Sequence, residues 1–261
     1  MSPDLGPVAP EDPPVEEALN PERSLPPAGV RTTAAPAEGG TTVVVIRHGE
    51  ARCNVDGVVG GEKGCTGLTA RGIAQVEALA ARLARSGELA GVDALYASTL
   101  PRAIETARLL APALDRWRSG PPLEVVQDCG LCELHPGEAD GLTWPEFAER
   151  YGEPRWDTDP DQPLAPGAES WAGFQARAAE AVTRIVEAHP GQLVVVACHA
   201  GVVGATVYHF LPADPGAGRL RLSPEHASMT MWERWEGRWL LRRYNDVTPI
   251  VAPRGPATRR A

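Results

Sequence analysis

Thr41-Thr-Val-Val-Val-Ile46 is an unbroken run of six β-branched residues. A strand with one face in water alternates apolar and polar side chains, because successive residues point to opposite faces. A run that is apolar throughout has no solvent face and must be covered on both sides. Leu193-Val-Val-Val-Ala197 repeats the pattern. The intervening sequence supplies helices for that cover. Thr69 caps a helix whose apolar residues Ile73, Val76, Leu79, Ala80 and Leu83 share one face, and Pro101 suits the first turn of another over 101–114. Further strands are expected at 92–97 and 123–127, a long amphipathic helix at 169–189, and a helix at about 202–211. The segments 229–235 and 238–244 form a hairpin turning at Glu236-Gly237. Residues 128–168 read as irregular, with a short helix around 144–151. Strands alternating with helices predict an α/β fold, a three-layer α/β/α sandwich around a mostly parallel central sheet.

This organisation is expected over residues 41–250, within the size of one α/β domain. Residues 1–40 are crowded with Pro, Ala, Gly and Glu and show no periodicity, so they are expected to be disordered, as is a short C-terminal tail at 251–261. The formal charge is −9 over 261 residues. Seven acids against Arg23 and Arg31 put over half of that imbalance in the first 40 residues. An acidic balance argues against a broad nucleic-acid or anionic-membrane surface, yet leaves room for a local basic pocket. No stretch approaches the roughly 20 apolar residues of a membrane span, and no secretory signal opens the chain, so a cytoplasmic location is expected. Five cysteines, an odd number, do not suggest a disulfide framework.

In a sheet of this kind, ligands gather where the carboxyl ends of strands meet helix N-termini. The first strand exits into Arg47-His48-Gly49-Glu50, the second into Ser98-Thr-Leu-Pro-Arg102, the third towards Leu131-Cys-Glu133, and the later one into His199-Ala-Gly201. Two histidines, two arginines and a glutamate thereby converge on one edge. Their chemistry suits phosphoryl transfer. An imidazole nitrogen can attack phosphorus and split one hard step into two. Arg47 and Arg102 offer planar forks that stay charged, and the helix start near Arg102 adds partial positive charge. Glu133, if partly desolvated, could protonate the leaving oxygen and then activate water.

These segments resemble the histidine phosphatase superfamily, the phosphoglycerate mutase-like family, in its branch 1 and of phosphatase type. Arg47-His48-Gly49-Glu50 with Asn54 matches R-H-G-E-x-x-x-N. Leu68-Thr69-x-x-Gly72-x-x-Gln75 matches L-T-x-x-G-x-x-Q, and Ser98 through Ala107 matches S-x-L-x-R-A-x-x-T-A. Leu131-x-Glu133 and His199-Ala-Gly201 complete the set. The resemblance implies that His48 is phosphorylated and that Arg47, Arg102 and His199 bind the phosphoryl group. It further implies that Asn54 assists, that Glu133 is the proton donor, and that neither metal nor other cofactor is needed. Ala200, where another branch carries Asp, points to the L-x-E segment as the source of the acid.

Other residues invite attention. Glu138 and Asp140 lie near Glu133 and compete for its role, and Glu138 is also a candidate for substrate contact. Arg52 and Lys63 are candidates for a second anionic group on the substrate, although loop lysines are more often simply solvated. Glu50 and Thr69 read as a loop support and a helix cap. His135 and His226 are further candidate pocket members. Cys53, Cys65, Cys129 and Cys132 lie on loops near the same edge and suggest a zinc site or a redox switch. Against that, Cys132 sits inside the L-x-E motif, and Cys53 and Cys65 lack metal-knuckle spacing. The leading expectation is therefore a metal-independent phosphatase acting on a small phosphorylated metabolite; oligomeric state is not legible in the sequence, and a homodimer, the commonest assembly, is one candidate. A mutase-type phosphotransfer and a phospho-ligand binding protein are the alternatives. Substrate choice would reside in 54–67 and 128–168, where no pattern is legible.

Overall fold

The computed structural model describes residues 34–211 and 222–247. The described residues form one six-stranded sheet in the order β3-β2-β4-β1-β5-β6. Its strands are β1 (Thr41–Arg47), β2 (Ala94–Ala97), β3 (Val125–Gln127), β4 (Leu193–Cys198), β5 (Met229–Trp235) and β6 (Arg238–Asp246). β1, β4, β2 and β3 are mutually parallel, and β5 and β6 add an antiparallel hairpin beside β1. Glu236 and Gly237 both take positive φ, as a two-residue type I′ turn requires.

The helices are α1 (Arg52–Val55), α2 (Ala70–Ser86), α3 (Pro101–Asp115), α4 (Trp144–Tyr151), α5 (Trp171–Ala188) and α6 (Ala200–Phe210). The period-two alternation of the strands divides the core into two layers. Val44, Ile46, Leu95, Val195 and Ala197 pack with Val76, Leu83, Ala107 and Leu110 of α2 and α3. Val43, Val45, Val194 and Val196 pack with Phe174, Val182, Ile185, Val202 and Val203 of α5 and α6. β1 and β4 are thus central and covered on both faces, and the three-layer α/β fold is the one the sequence leads one to expect.

Several boundaries differ from the sequence reading. β2 starts at Ala94 because the Asp93 carboxylate accepts the Leu193 N–H (2.8 Å) and ends the ladder there. β3 starts at Val125, and α6 begins at Ala200, directly after β4. Ile73 does not belong to the buried face of α2; it is exposed, while Gly72, Val76, Leu79 and Leu83 face inward. Gly72 sets this rotation. It packs on the backbone of Glu50 so closely that a Cβ would lie 2.8 Å from Glu50 N. Residues 34–40, counted from composition with the N-terminal tail, are held by backbone donors: Ala34 N–H bonds to Glu88 O and Ala37 N–H to Glu233 Oε1. The remaining expectation for the tail, residues 1–33, lies outside the described residues, as does that for 251–261. Among the described residues no helix is long and apolar enough to cross a membrane.

The register of the central strands fixes the positions used below. Arg47 pairs with Cys198 across the parallel β1–β4 ladder, so His48 and His199 leave adjacent strands side by side. His48 N–H donates to Cys198 O (2.9 Å), extending the pairing by one residue.

Away from that edge, β6 is tied to α2 by a buried ionic cluster. Arg82 donates to both carboxylate oxygens of Glu88 (2.7 and 2.9 Å) and to Asp246 (3.1 and 2.8 Å), and Arg243 reaches Glu88 Oε2 at 2.6 Å. Burial pushes the Glu88 carboxyl up, but the hydrogen bonds from Arg82 and Arg243 outweigh it and hold its pKa below the usual range. Removing one charge strands the others in the interior. Glu88→Gln is expected to lower unfolding stability by about 3 kcal/mol in urea at neutral pH. The contribution of Glu88 is present above its unfolded pKa and fades as pH falls through the depressed folded value, so the variant and the parent should converge in acid.

Candidate active site

His48, Arg102 and His199 form the centre, and all three are buried. Each is positioned by a chain end. His48 follows β1, His199 is the N-cap residue of α6 after β4, and Arg102 lies in the first turn of α3, whose first residue is Pro101. Arg102 Nε donates to His48 Nε2 (3.1 Å) and also to His199 Nδ1 (3.2 Å). A guanidinium has only donors, so both imidazole nitrogens must accept. The other ring nitrogens therefore carry the protons. His48 Nδ1–H donates to Gly49 O (2.6 Å), and His199 Nε2–H donates to Ser98 Oγ (2.7 Å). Both histidines are neutral, each with a lone pair aimed at the same guanidinium.

Electrostatics agree with that assignment. Burial, then the Arg102 charge, hold the His48 pKa well below the ordinary imidazole value, and the same two causes act on His199. The two rings meet edge to face with centroids 5.2 Å apart.

The remaining arginine comes from the same strand as His48. Arg47 Nη1 donates to Pro224 O (2.5 Å) and Nη2 to His226 Nε2 (2.9 Å), while its buried Nε has no hydrogen-bond partner among the described residues. The His226 ring sits 5.6 Å from that of His48. Burial and the Arg47 charge lower its pKa to about 4. His226 thus stands beside Arg47 and His48, whereas His135 lies elsewhere, beside Cys129 and Glu169. Asn54 is exposed; its Oδ1 accepts from Ala51 N–H (3.1 Å) and lies 3.3 Å from His226 Nε2.

Glu133 reaches the site through α6: its Oε2 accepts the Gly201 N–H at 3.1 Å. A Cβ at position 201 would run into Glu133 Oε1 and lie 2.7 Å from the Phe174 ring, so only glycine leaves room for the carboxylate. The two competing acids are occupied differently. Asp140 accepts the backbone N–H groups of Lys63 (2.8 Å) and Gly64 (2.9 Å), anchoring the 54–67 loop, and Glu138 is exposed with Tyr151 Oη at 3.4 Å. Arg52, the first residue of α1, and Lys63, on the loop that follows, are both exposed. Glu50 accepts from Thr69 Oγ1 (2.7 Å), which in turn accepts Gly72 N–H, the support and cap expected. Cys53 and Cys65 are buried and hydrogen-bonded to each other, which raises the Cys53 thiol and lowers that of Cys65; among the described residues all five cysteines are free.

Several supports were not legible as such. Ser98 holds His199, Thr106 Oγ1 accepts Gly49 N–H (3.2 Å), and Gly60 O accepts Arg102 Nη1–H (2.8 Å). Ser98 and Thr106 stood within the S-x-L-x-R-A-x-x-T-A segment, so a signal existed. Arg177 gave none: from α5 it donates to the carbonyls of Cys129, Gly130, Cys132 and Glu133 and clamps the segment before the glutamate.

The chain is similar to known proteins in sequence and fold. Residues 43–247 match the histidine phosphatase superfamily (branch 1). A metal-independent phosphoserine phosphatase of Arabidopsis thaliana is 30% identical over 213 residues, covering 80% of this chain and 83% of that protein. A 2,3-bisphosphoglycerate-dependent phosphoglycerate mutase of Thermoplasma acidophilum is 29% identical over 205 residues, covering 76% and 89%. Among solved structures, a mycobacterial glucosyl-3-phosphoglycerate phosphatase in complex with VO3 superposes with a TM-score of 0.63 at 26% identity, covering 78% of this chain and 98% of that one. With the paired histidines, the shared arginine and the strand-end motifs all within the matched span, the chain belongs to the histidine phosphatase superfamily, branch 1.

Proposed function

We propose that the chain is a metal-independent phosphatase that hydrolyses a small phosphorylated metabolite through a phosphohistidine on His48. The observation that carries this reading is the sharing of Arg102 Nε between His48 Nε2 and His199 Nδ1. It leaves a neutral imidazole whose one free lone pair faces a fixed cation, the state a nucleophile towards phosphate requires. Gly49 O, by accepting from Nδ1, keeps that lone pair on Nε2.

In this mechanism the phosphate monoester enters with its oxygens against Arg102 and the unpartnered Nε of Arg47. The dianion raises the pKa of His199, which takes up a proton at Nδ1 and donates it as a hydrogen bond to a phosphoryl oxygen. His48 Nε2 attacks phosphorus in line with the ester oxygen, and Glu133 donates a proton to that leaving oxygen. The resulting carboxylate then removes a proton from water as it attacks the phosphohistidine, returning His48 to neutrality and releasing inorganic phosphate. Asn54 and His226 support Arg47 from the open side. Arg52, Lys63 and Glu138 are candidates for contact with the rest of the substrate. The overall acidity, −9, favours a small anion held by local arginines over a nucleic acid or an anionic membrane.

Phosphoserine is the first substrate to test, given the name of the Arabidopsis relative. Steady release of inorganic phosphate is expected; isomerisation of 3-phosphoglycerate with negligible release would overturn hydrolysis in favour of mutase-type transfer. An acid-labile phosphoenzyme should be trapped in the parent and be absent in His48→Ala, whose turnover should fall on the order of 10⁴-fold or more.

Glu133→Gln is expected to reduce turnover of alkyl phosphates by about 10²- to 10⁴-fold. With p-nitrophenyl phosphate, whose leaving group needs little protonation, the variant should show a rapid burst followed by slow turnover. A uniform loss in both phases would remove Glu133 from the acid–base role.

The buried neutral histidines also predict an acid-sensitive fold. An imidazole whose folded pKa is depressed binds its proton only in the unfolded state, so stability is retained above about pH 6.5 and lost as pH falls towards the folded value. Between pH 7 and 5.5 each histidine should withdraw stability, because burial and the Arg102 charge depress its folded pKa. His48→Ala should therefore lose less stability across that interval than the parent does, as measured by urea unfolding.

A further inference from the structure

We propose that Cys129, Cys132 and His135 form a binding site for one zinc ion, beside the phosphoryl-transfer centre and outside its chemistry. The two thiol sulfurs and a ring nitrogen of His135 all lie within 4.8 Å of one another. Cys129 Sγ is 3.4 Å from His135 Nε2. Tetrahedral zinc with Zn–S of about 2.3 Å and Zn–N of about 2.0–2.1 Å sets sulfur and nitrogen roughly 3.5 Å apart, so the pair already stands at ligand spacing.

Two further features point the same way. The other ring nitrogen, His135 Nδ1, lies 3.5 Å from Glu169 Oε2. A carboxylate behind the far nitrogen of a ligating histidine is the arrangement that holds the ring and fixes its tautomer, here with Nε2 turned to the thiols. Glu169 is itself held by Arg177 (2.7 Å to each oxygen), and the same arginine pins the carbonyls of Cys129 and Cys132. The short 3₁₀ turn Cys129–Leu131, capped by Asp128, brings the two cysteines to one side. The ligands are therefore preorganised, while the exposure of Cys129 leaves a path of entry. Water supplies the fourth ligand.

Binding exchanges one Zn²⁺ for the two thiol protons: two Zn–S bonds and one Zn–N bond form, His135 remains neutral, and two protons leave to solvent. The segment Cys129-x-x-Cys132-x-x-His135 contains Glu133, and Cys132 Sγ accepts the hydroxyl of Ser98, which holds His199. Occupancy thus braces the segment that presents the glutamate.

The test is titration of the full-length reduced protein with Co²⁺, then Zn²⁺, in the presence of a non-thiol reductant. A sulfur-to-cobalt charge-transfer band saturating at one equivalent and displaced by Zn²⁺ is expected, with a rise in the thermal midpoint on zinc addition. Cys129→Ser and His135→Gln, both at partly exposed positions and checked for folding by circular dichroism, should weaken binding by about 100-fold and about 10-fold or more. Cys53→Ser should leave the cobalt band intact. Absence of the band at one equivalent, its persistence in Cys129→Ser, or indifference to His135→Gln would overturn the site.

Discussion

A single N–H, that of Arg102 Nε, is shared by two buried imidazoles, and the arrangement of the site follows from that constraint. A cation placed between two rings cannot accept, so it forces a lone pair on each to face it and drives both protons outward. The partners that receive those protons, Gly49 O and Ser98 Oγ, are consequently part of the same device. Protonating either ring against Arg102 would set like charges in contact in a buried volume, which is why both histidines are held neutral. The cost of keeping a guanidinium there is offset by carbonyl and ring acceptors rather than by a carboxylate, which leaves its charge available to an incoming anion.

Around this centre, acidic groups are divided by what they accept. Glu133 takes the Gly201 N–H at the start of α6, Asp140 takes two backbone N–H groups of the 54–67 loop, and Glu169 takes Arg177. The three lie close in sequence or space, yet their donors separate a group presented to the site from two that hold loops in place. Arg177 links these roles because its carbonyl contacts clamp the segment between Cys129 and Glu133.

Much of this was legible because burial leaves strong marks. The runs at 41–46 and 193–197 could only be central strands, and the polar residues after them could only lie at one edge. Ile73 misled because hydrophobicity alone does not set the rotation of a helix; the close approach of Gly72 to Glu50 does. The starts of β2 and β3 were overextended because the Asp93 and Asp115 carboxylates take up the N–H groups of Leu193 and Leu123 there, which no periodicity announces. Asp140 and Glu133 were hard to rank for the same reason: both are loop acids, and the difference lies in which backbone N–H groups the fold brings to them. His226 is far from His48 in the chain and comes to stand beside it through Arg47, a contact of tertiary origin. Residues 34–40 looked like tail by composition but carry backbone donors that β5 and the end of α2 can satisfy.

The parallel pairing of Arg47 with Cys198 has an architectural consequence. The separation of the two central histidines is ruled by a hydrogen-bonded ladder between the two most deeply buried strands, and slipping it by one residue would move every side chain of a strand from one core layer to the other. Loops 54–67 and 128–168 hang from this frame without setting its scale. Lengthening or rewriting them can change what surrounds the histidines while the distance between the two rings stays constant, so the loops vary on a fixed gauge.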